Sequence, residues 1–178
     1  MIRGRLVALR PVEERDHPLI QAWQNDPEVW WWMDYEGPFS LDDIAASEAR
    51  ALLEGHPFII EAEGRAIGRI GLNQFRRRDR ICSLYVFIGE RDAWDRGFGS
   101  DAVMALVGYA FDRLDLHQVE LWSLADNERA IRAYRHCGFR EDARLSDRSW
   151  KDGRWIDHVV MTVTPEAFAA AREARDQA

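Results

Sequence analysis

Three features of the chain predict one mixed α/β domain of the α+β kind: a mostly antiparallel sheet of six or seven strands, flanked by helices, with one central parallel pair. Short β-branched and aromatic segments separated by turn residues fill the stretch from Pro57 to Gly89, as an antiparallel meander does. An amphipathic helical run lies between two apolar strand-like segments, 83–88 and 117–124, and a strand, helix, strand unit in one sheet implies a parallel pair with a right-handed crossover. Asp152-Gly153, set between two further strand-like segments, marks a second hairpin.

Taken in order, residues 5–10 alternate Leu6 and Ala8 against Val7 and Leu9 and stop at Pro11, which reads as a first strand. A short helix runs from Asp16 or His17 through Trp23, followed by the irregular stretch Asn25-Asp26-Pro27. Ser40 offers a capping hydroxyl and Asp42 and Asp43 an acidic first turn, so a second helix runs from there to its stop at Gly55. Residues 57–62 and 66–73 read as strands joined at Glu63-Gly64, and the arginine-rich 76–80 as the next turn. The strand 83–88 halts at Gly89. Beyond Gly99, the residues Ala102, Val103, Leu106, Val107, Ala110, Phe111 and Leu114 recur three or four apart, which gathers one helix face toward a core. Asp126 or Asn127 caps another helix that ends at Gly138. Segments 139–145 and 155–163 flank the second hairpin, and Pro165 opens a C-terminal helix. With no repeat and no low-complexity linker, a single domain spans residues 1–178.

The chain carries 24 Lys plus Arg against 31 Asp plus Glu, a formal net charge of -7, which argues against nucleic-acid binding and suits cationic or amine partners. Cys82 and Cys137 have no metal-ligand spacing, so neither a zinc site nor a disulfide framework is expected. No apolar run approaches the length of a membrane span or leader, and the expectation is a cytoplasmic protein without membrane contact.

The stretch Trp94-Asp95-Arg96-Gly97-Phe98-Gly99-Ser100 lies where a strand gives way to a helix. A helix start leaves four amide N–H groups without partners and carries the positive end of the macrodipole, about half an elementary charge. Anionic phosphate oxygens satisfy both. Gly97 and Gly99 let the backbone approach a ligand closely, and Arg96 is placed to add a charge-assisted contact. Two glycines before a helix also make an ordinary turn. The third glycine of a dinucleotide fingerprint is replaced by Ala102, which disfavours a nucleotide-binding dehydrogenase.

After the next strand comes Asp126-Asn127-Glu128-Arg129-Ala130-Ile131-Arg132-Ala133-Tyr134-Arg135-His136-Cys137-Gly138-Phe139. Meander, glycine turn, helix, strand and this segment, in that order, resemble the GNAT superfamily of acetyl-coenzyme A dependent N-acetyltransferases. Within it the chain is similar to the branch of ribosomal-protein N-terminal and spermidine acetyltransferases, most clearly over residues 88–153. The resemblance implies acetyl-CoA as cofactor and acetyl transfer by direct attack of a primary amine on the thioester. The amine would be a polyamine, a protein N-terminus or an aminoglycoside-like small molecule, and a homodimer is the expected assembly. The resemblance also maps the pyrophosphate loop onto Trp94, Asp95, Arg96, Gly97, Phe98, Gly99 and Ser100, and the pantetheine-pairing strand onto Tyr85 to Gly89, with Phe87, Ile88 and Gly89 at the cofactor. Asn127 and Arg129 match contacts to the cofactor, and Tyr134 matches the tyrosine beside the sulfur, the general acid. Ala130 stands where many relatives carry Ser.

Such chemistry needs an amine lone pair, yet an alkylammonium with pKa ~10.4 is neutral only about once in 2,500 molecules at pH 7. A base is therefore expected, and the candidates are Glu120, two residues before the Trp122 that occupies the position of some relatives' glutamate, Glu90 beside the glycine loop, and Asp34 or Glu36 in the tryptophan-rich segment. Backbone N–H groups near Phe87 to Gly89 would stabilise the developing oxyanion. The segment 30–38 mixes tryptophans with carboxylates, so Trp31, Asp34, Tyr35 and Glu36 are candidates for holding a cationic acceptor through cation–π and ionic contacts. The same tryptophans equally suit a core or a subunit contact. The rival class is a non-catalytic module that binds or senses acyl-coenzyme A on the same fold.

Overall fold

The computed structural model of the chain describes residues 1–33 and 37–177. One sheet of eight strands runs in the order β1-β2-β3-β4-β5-β6-β8-β7. The strands are β1 Ile2–Arg3, β2 Ala8–Pro11, β3 His56–Ala62, β4 Arg65–Arg76, β5 Ile81–Ile88, β6 Gln118–Leu124, β7 Arg140–Lys151 and β8 Arg154–Val163. The helices are α1 His17–Gln24, α2 Pro27–Trp30, α3 Leu41–Glu54, α4 Phe98–Asp112, α5 Glu128–His136 and α6 Pro165–Asp176. Seven strands are those read from the sequence, and the eighth is the two-residue β1, too short to show alternation.

Local chemistry sets most of the element ends. Ser40 and Asp43 close a capping box on α3, Asn127 accepts from Ala130 N on α5, and Thr164 accepts from Ala167 N on α6. Glu63 (φ 52) with Gly64 (φ 79), and Asp152 (φ 50) with Gly153 (φ 79), give the paired left-handed residues that match hairpin twist. Two expectations are corrected. The first strand pairs only from Ala8, because the backbone N–H groups of Arg5, Leu6 and Val7 turn to the Asp101 carboxylate instead of a strand. The stretch Asn25-Asp26-Pro27, read as irregular, leads into α2 (Pro27–Trp30), because Asp26 accepts from Glu28 N as N-cap and Pro27 suits the first helical position.

The sheet separates two cores. On one face α4, α5 and α6 bury Val103, Leu106, Val107, Ile131 and Phe168 against the strands. On the other, Ile20, Trp23 and Ile44 of α1 and α3 pack with Ile59 and Phe87. Every neighbouring pair is antiparallel except β5 with β6. That parallel register covers only Ile81↔Gln118, Cys82↔Val119 and Ser83↔Glu120. Beyond it β6 stays paired with β8 up to Leu124↔His158, and β5 with β4 up to Ile88↔Gly68, so the two strands part and leave a gap in the middle of the sheet.

Asp101, in the first turn of α4, is fully buried and accepts from Arg5 N (3.1 Å), Leu6 N (2.6 Å) and Val7 N (3.0 Å) while pairing with Arg175 of α6. Burial pushes its carboxyl up, but the Arg175 guanidinium and the three amides together hold it below the usual carboxylate range. A depressed folded value means a contribution that is present above the unfolded value and lost as pH falls through the folded one. Asp101→Asn should therefore lower unfolding free energy by about 3 kcal/mol at pH 7. Urea titrations should show this deficit shrinking as the pH is lowered below about 4.

Candidate active site

A cleft of about 840 Å³ opens where β5 and β6 part, and it reaches both faces of the sheet. One wall carries Leu84, Val86 and Ile88 of β5, the second Trp122, Ser123 and Leu124 of β6. The start of α4 (Gly97, Phe98, Gly99, Ser100) and the α5 residues Ala130, Ala133 and Tyr134 line one side. Ser47, Arg50, Ala51 and Glu54, one face of α3 by their spacing, line the other with Trp32 and Met33.

Antiparallel pairing decides which β5 amides face the gap. Gly89 N donates to Ile67 O (2.9 Å), and Phe87, two residues back and opposite Arg69, faces β4 in the same alternation. The amides of Ile88 and Val86 therefore point away from β4 into the cleft. Of the strand Tyr85 to Gly89, expected to offer amides, Val86 and Ile88 present theirs there, whereas Phe87 and Gly89 face β4. Gly89 has a different reason to be glycine: a Cβ would stand 2.1 Å from Trp23 Cγ. The Trp23 indole in turn donates to Glu90 Oε1 (2.8 Å).

The glycine turn is built as a helix start without a side-chain cap. Gly97 is the N-cap of α4 at φ 79, a left-handed conformation that favours glycine, and the first intrahelical bond at this end runs from Asp101 N to Gly97 O. The N–H groups of Phe98, Gly99 and Ser100 thus have no partner within the helix. Trp94 and Asp95 also line the cleft, and the Trp94 indole donates to Ile88 O (2.8 Å). Arg96 does not line it: its guanidinium pairs with Glu63 at the β3–β4 turn (Nη1–Oε2 3.1 Å) and lies over the Phe98 ring. The cation on this part of the wall is Arg129, 4.5 Å over the Trp94 ring and 3.8 Å from Asp95.

Asn127 lines the cleft while its side-chain oxygen caps α5. Tyr134 lies on the same side against Phe139, and burial, reinforced by neighbouring Cys137, pushes its phenol up to about 12. It stays protonated at neutral pH. Burial likewise pushes the Cys82 and Cys137 thiols up to about 12, so neither offers a thiolate.

Of the expected bases, neither Glu120 nor Glu90 lines the cleft. Glu120 bonds Arg76 (3.0 Å) and accepts from Ser83 Oγ (3.2 Å), and Glu90 is held by Trp23 and Arg65. Trp31 also points elsewhere, donating to Asp152 Oδ2 (2.8 Å) at the β7–β8 turn, where Lys151 Nζ sits 5.8 Å from its ring and donates to Met33 O. Asp34, Tyr35 and Glu36 lie outside the described residues. Tyr85 and Val86 of the expected cofactor strand and Trp32 and Met33 of the expected acceptor segment lie on the cleft wall, whereas sequence reasoning missed Arg69 and His158 there. The helical spacing of Ser47, Arg50, Ala51 and Glu54 was a visible signal for the α3 wall.

A parallel pair that parts beside an uncapped helix start is the architecture of an acyltransferase that takes its acyl group from a phosphorylated carrier. The chain belongs to the GNAT acetyltransferase family, matching its domain over residues 6–140, and with it to the N-acetyltransferases that use acetyl-coenzyme A. It is 27% identical to the uncharacterized N-acetyltransferase p20 of Bacillus licheniformis, over 92% of this chain and 95% of that one. It is 24% identical to spermidine N(1)-acetyltransferase of Escherichia coli K12 (96% and 92% covered). The aminoglycoside N(6')-acetyltransferase type 1 of Klebsiella pneumoniae is also 24% identical (93% and 87% covered). The crystal structure of spermidine N-acetyltransferase from Vibrio cholerae in complex with CoA and spermine shares the fold, with TM-score 0.84 and 22% identity over 92% of this chain and 98% of that one.

Gly89→Ala should force the Trp23 ring out of its place and cost about 1–3 kcal/mol. Chemical denaturation and tryptophan fluorescence check this; an unchanged midpoint and spectrum would contradict the packing described.

Proposed function

We propose that residues 1–178 work as one acetyltransferase domain that moves an acetyl group from acetyl-CoA to a primary amine: a polyamine, a protein N-terminus or an aminoglycoside-like molecule. The observation that carries this reading is the convergence on one cleft of amides from the α4 start that have no partner among the described residues and outward amides from β5. A Cβ on Gly99 would meet only Ile88 Cγ1 at 3.7 Å, so space remains above the turn for a diphosphate.

In this reading the N–H groups of Phe98, Gly99 and Ser100 hold the diphosphate, with Arg129 as the nearby cation. Ile88 and Val86 pair with the pantetheine arm, and an amide of β5 stabilises the oxyanion. Acetyl-CoA, when bound, supplies an activated acyl carbon and a thiolate leaving group. Tyr134, whose phenol keeps its proton until pH approaches 12, donates to that sulfur. Trp32 and Met33 replace Trp31 as the aromatic and apolar part of the acceptor wall.

A homodimer remains the assembly we infer, supported by the exposed, edge-to-face Trp150 and Trp155 on the outer hairpin of the sheet. The Vibrio cholerae relative has been solved as a dodecamer. A cytoplasmic location is inferred from the cofactor and from the two buried, unpaired cysteines. No helix among the described residues is long and apolar enough to cross a membrane.

Saturating CoA should raise the melting temperature by several degrees, consistent with a ligand that binds only the folded state. Thiol release from acetyl-CoA with a panel of spermidine, kanamycin and a short serine-initiated peptide should show turnover with at least one amine. No turnover with any of them, alongside a clear melting shift, would favour a binding module. Tyr134→Phe should lower kcat by about 100-fold with little change in the Kd for CoA.

A further inference from the structure

Acetyl transfer as proposed above needs a proton acceptor on the side from which the amine arrives, and the carboxylates described on the cleft wall are engaged: Glu54 with Arg50 (2.8 Å) and Asp95 with Arg129 (3.8 Å). One buried imidazole lines the same cleft. His158 of β8 is only 8% exposed and stands opposite Leu124 of β6 and Leu145 of β7. Its neighbours Val159 and Met161 enter the core beneath α4, Val159 directly beside it in the chain, so strand alternation turns His158 to the face covered by α1 and α3. Tyr134 packs against the opposite core. The cleft therefore runs between a phenol on one face and an imidazole on the other.

The ring is held firmly. Its Nε2 lies 2.7 Å from Ser149 Oγ, which is itself buried, and Trp122 stands edge-on to it at 6.4 Å and 86°. Nδ1 has no hydrogen bond to a described residue. Around the ring, β6 contributes Trp122 and Leu124, and β7 contributes Leu145 and Ser149. The charged and titratable groups of the cleft wall are Arg50, Glu54, Arg69, Asp95, Arg129 and the two tyrosines Tyr85 and Tyr134.

We propose that His158 is the base of the reaction: Nε2–H donates to Ser149 Oγ, which fixes the tautomer, and Nδ1 takes a proton from the acceptor ammonium. This rests on the acetyl-transfer reading. An imidazole suits the task because a ring nitrogen without a proton carries a lone pair that can accept one. The ammonium gives one proton to Nδ1, which passes it to solvent, and the freed lone pair forms the C–N bond. The C–S bond breaks with its electron pair leaving on sulfur, which takes the Tyr134 proton. The nitrogen loses its second proton to solvent as the amide forms, and Tyr134 regains one from solvent, so one proton is released per turnover.

H158Q should lower thiol release with the best amine of the panel by about 100-fold at pH 7. The loss should shrink toward pH 10, where more of the amine is already neutral, and the Kd for CoA should be unchanged. In the unmodified protein without ligand, ¹⁵N NMR of the ring should find a bare Nδ1 and a protonated Nε2, and S149A should shift that balance toward protonated Nδ1. An H158Q pH–rate profile that overlays the parent's, or a neutral ring carrying its proton on Nδ1, overturns the assignment. If H158Q does not fold, the tautomer measurement still decides. Absence of turnover by the parent with every amine would instead defeat the acetyl-transfer reading.

Discussion

The parting of β5 from β6 after three paired residues is the constraint on which the site depends. While two strands pair, their amides face each other and offer nothing to a ligand; where they part, those groups must find another partner. Here β6 keeps β8 and β5 keeps β4, so each strand remains anchored on one side and open on the other. The fork of the gap is fastened by Glu120, which accepts from Ser83 Oγ across the last paired position and from Arg76. A carboxylate that invited a catalytic reading serves as the rivet at the fork, and its engagement there explains why it does not face the acceptor.

The two faces of the cleft differ in chemistry. On the α4 side, bare amides and Arg129 suit an anionic carrier, and the negative net charge of -7 makes this local positive potential a property of backbone placement more than of overall charge. On the α3 side the wall is fixed by a buried ion pair, Arg69 with Glu48 at 2.5 Å, that ties β4 to α3. Burial raises the Glu48 carboxyl, and Arg69, followed by His17, counters it. The Arg69 guanidinium also lies 5.2 Å over the Tyr85 ring. The tryptophan segment is tied down from the far hairpin, where Asp152 accepts from Trp31 and Lys151 reaches Met33 O, so the acceptor wall depends on a turn distant in sequence.

What could be read from the sequence was what adjacent residues decide. Asp152-Gly153 and Glu63-Gly64 demand left-handed turns, Ser40 and Asn127 cap helices, and the spacing from Ala102 to Leu114 sets a buried helix face. The order of these elements, with the glycine turn and Asn127 to Tyr134, was enough for the family. Side-chain direction was not legible, because it depends on partners far along the chain. Arg96 turned to Glu63, leaving Arg129 at the cleft; Gly89 served Trp23 instead of a ligand; and a one-residue alternation gave the gap to Val86 and Ile88. His158 was invisible for the same reason, since nothing near it in sequence reveals that β8 lies next to β6 and brings this imidazole to the cleft wall.

The central claim is that amides from two separate elements, the β5 edge and the α4 start, grip one ligand in the gap. Backbone amide NMR during a CoA titration tests it most directly. Val86, Ile88, Phe98, Gly99 and Ser100 should shift together with a single Kd, while Phe87 and Gly89, bonded toward β4, should move little. Saturable shifts gathered elsewhere on the protein, with these five amides unmoved, would contradict it.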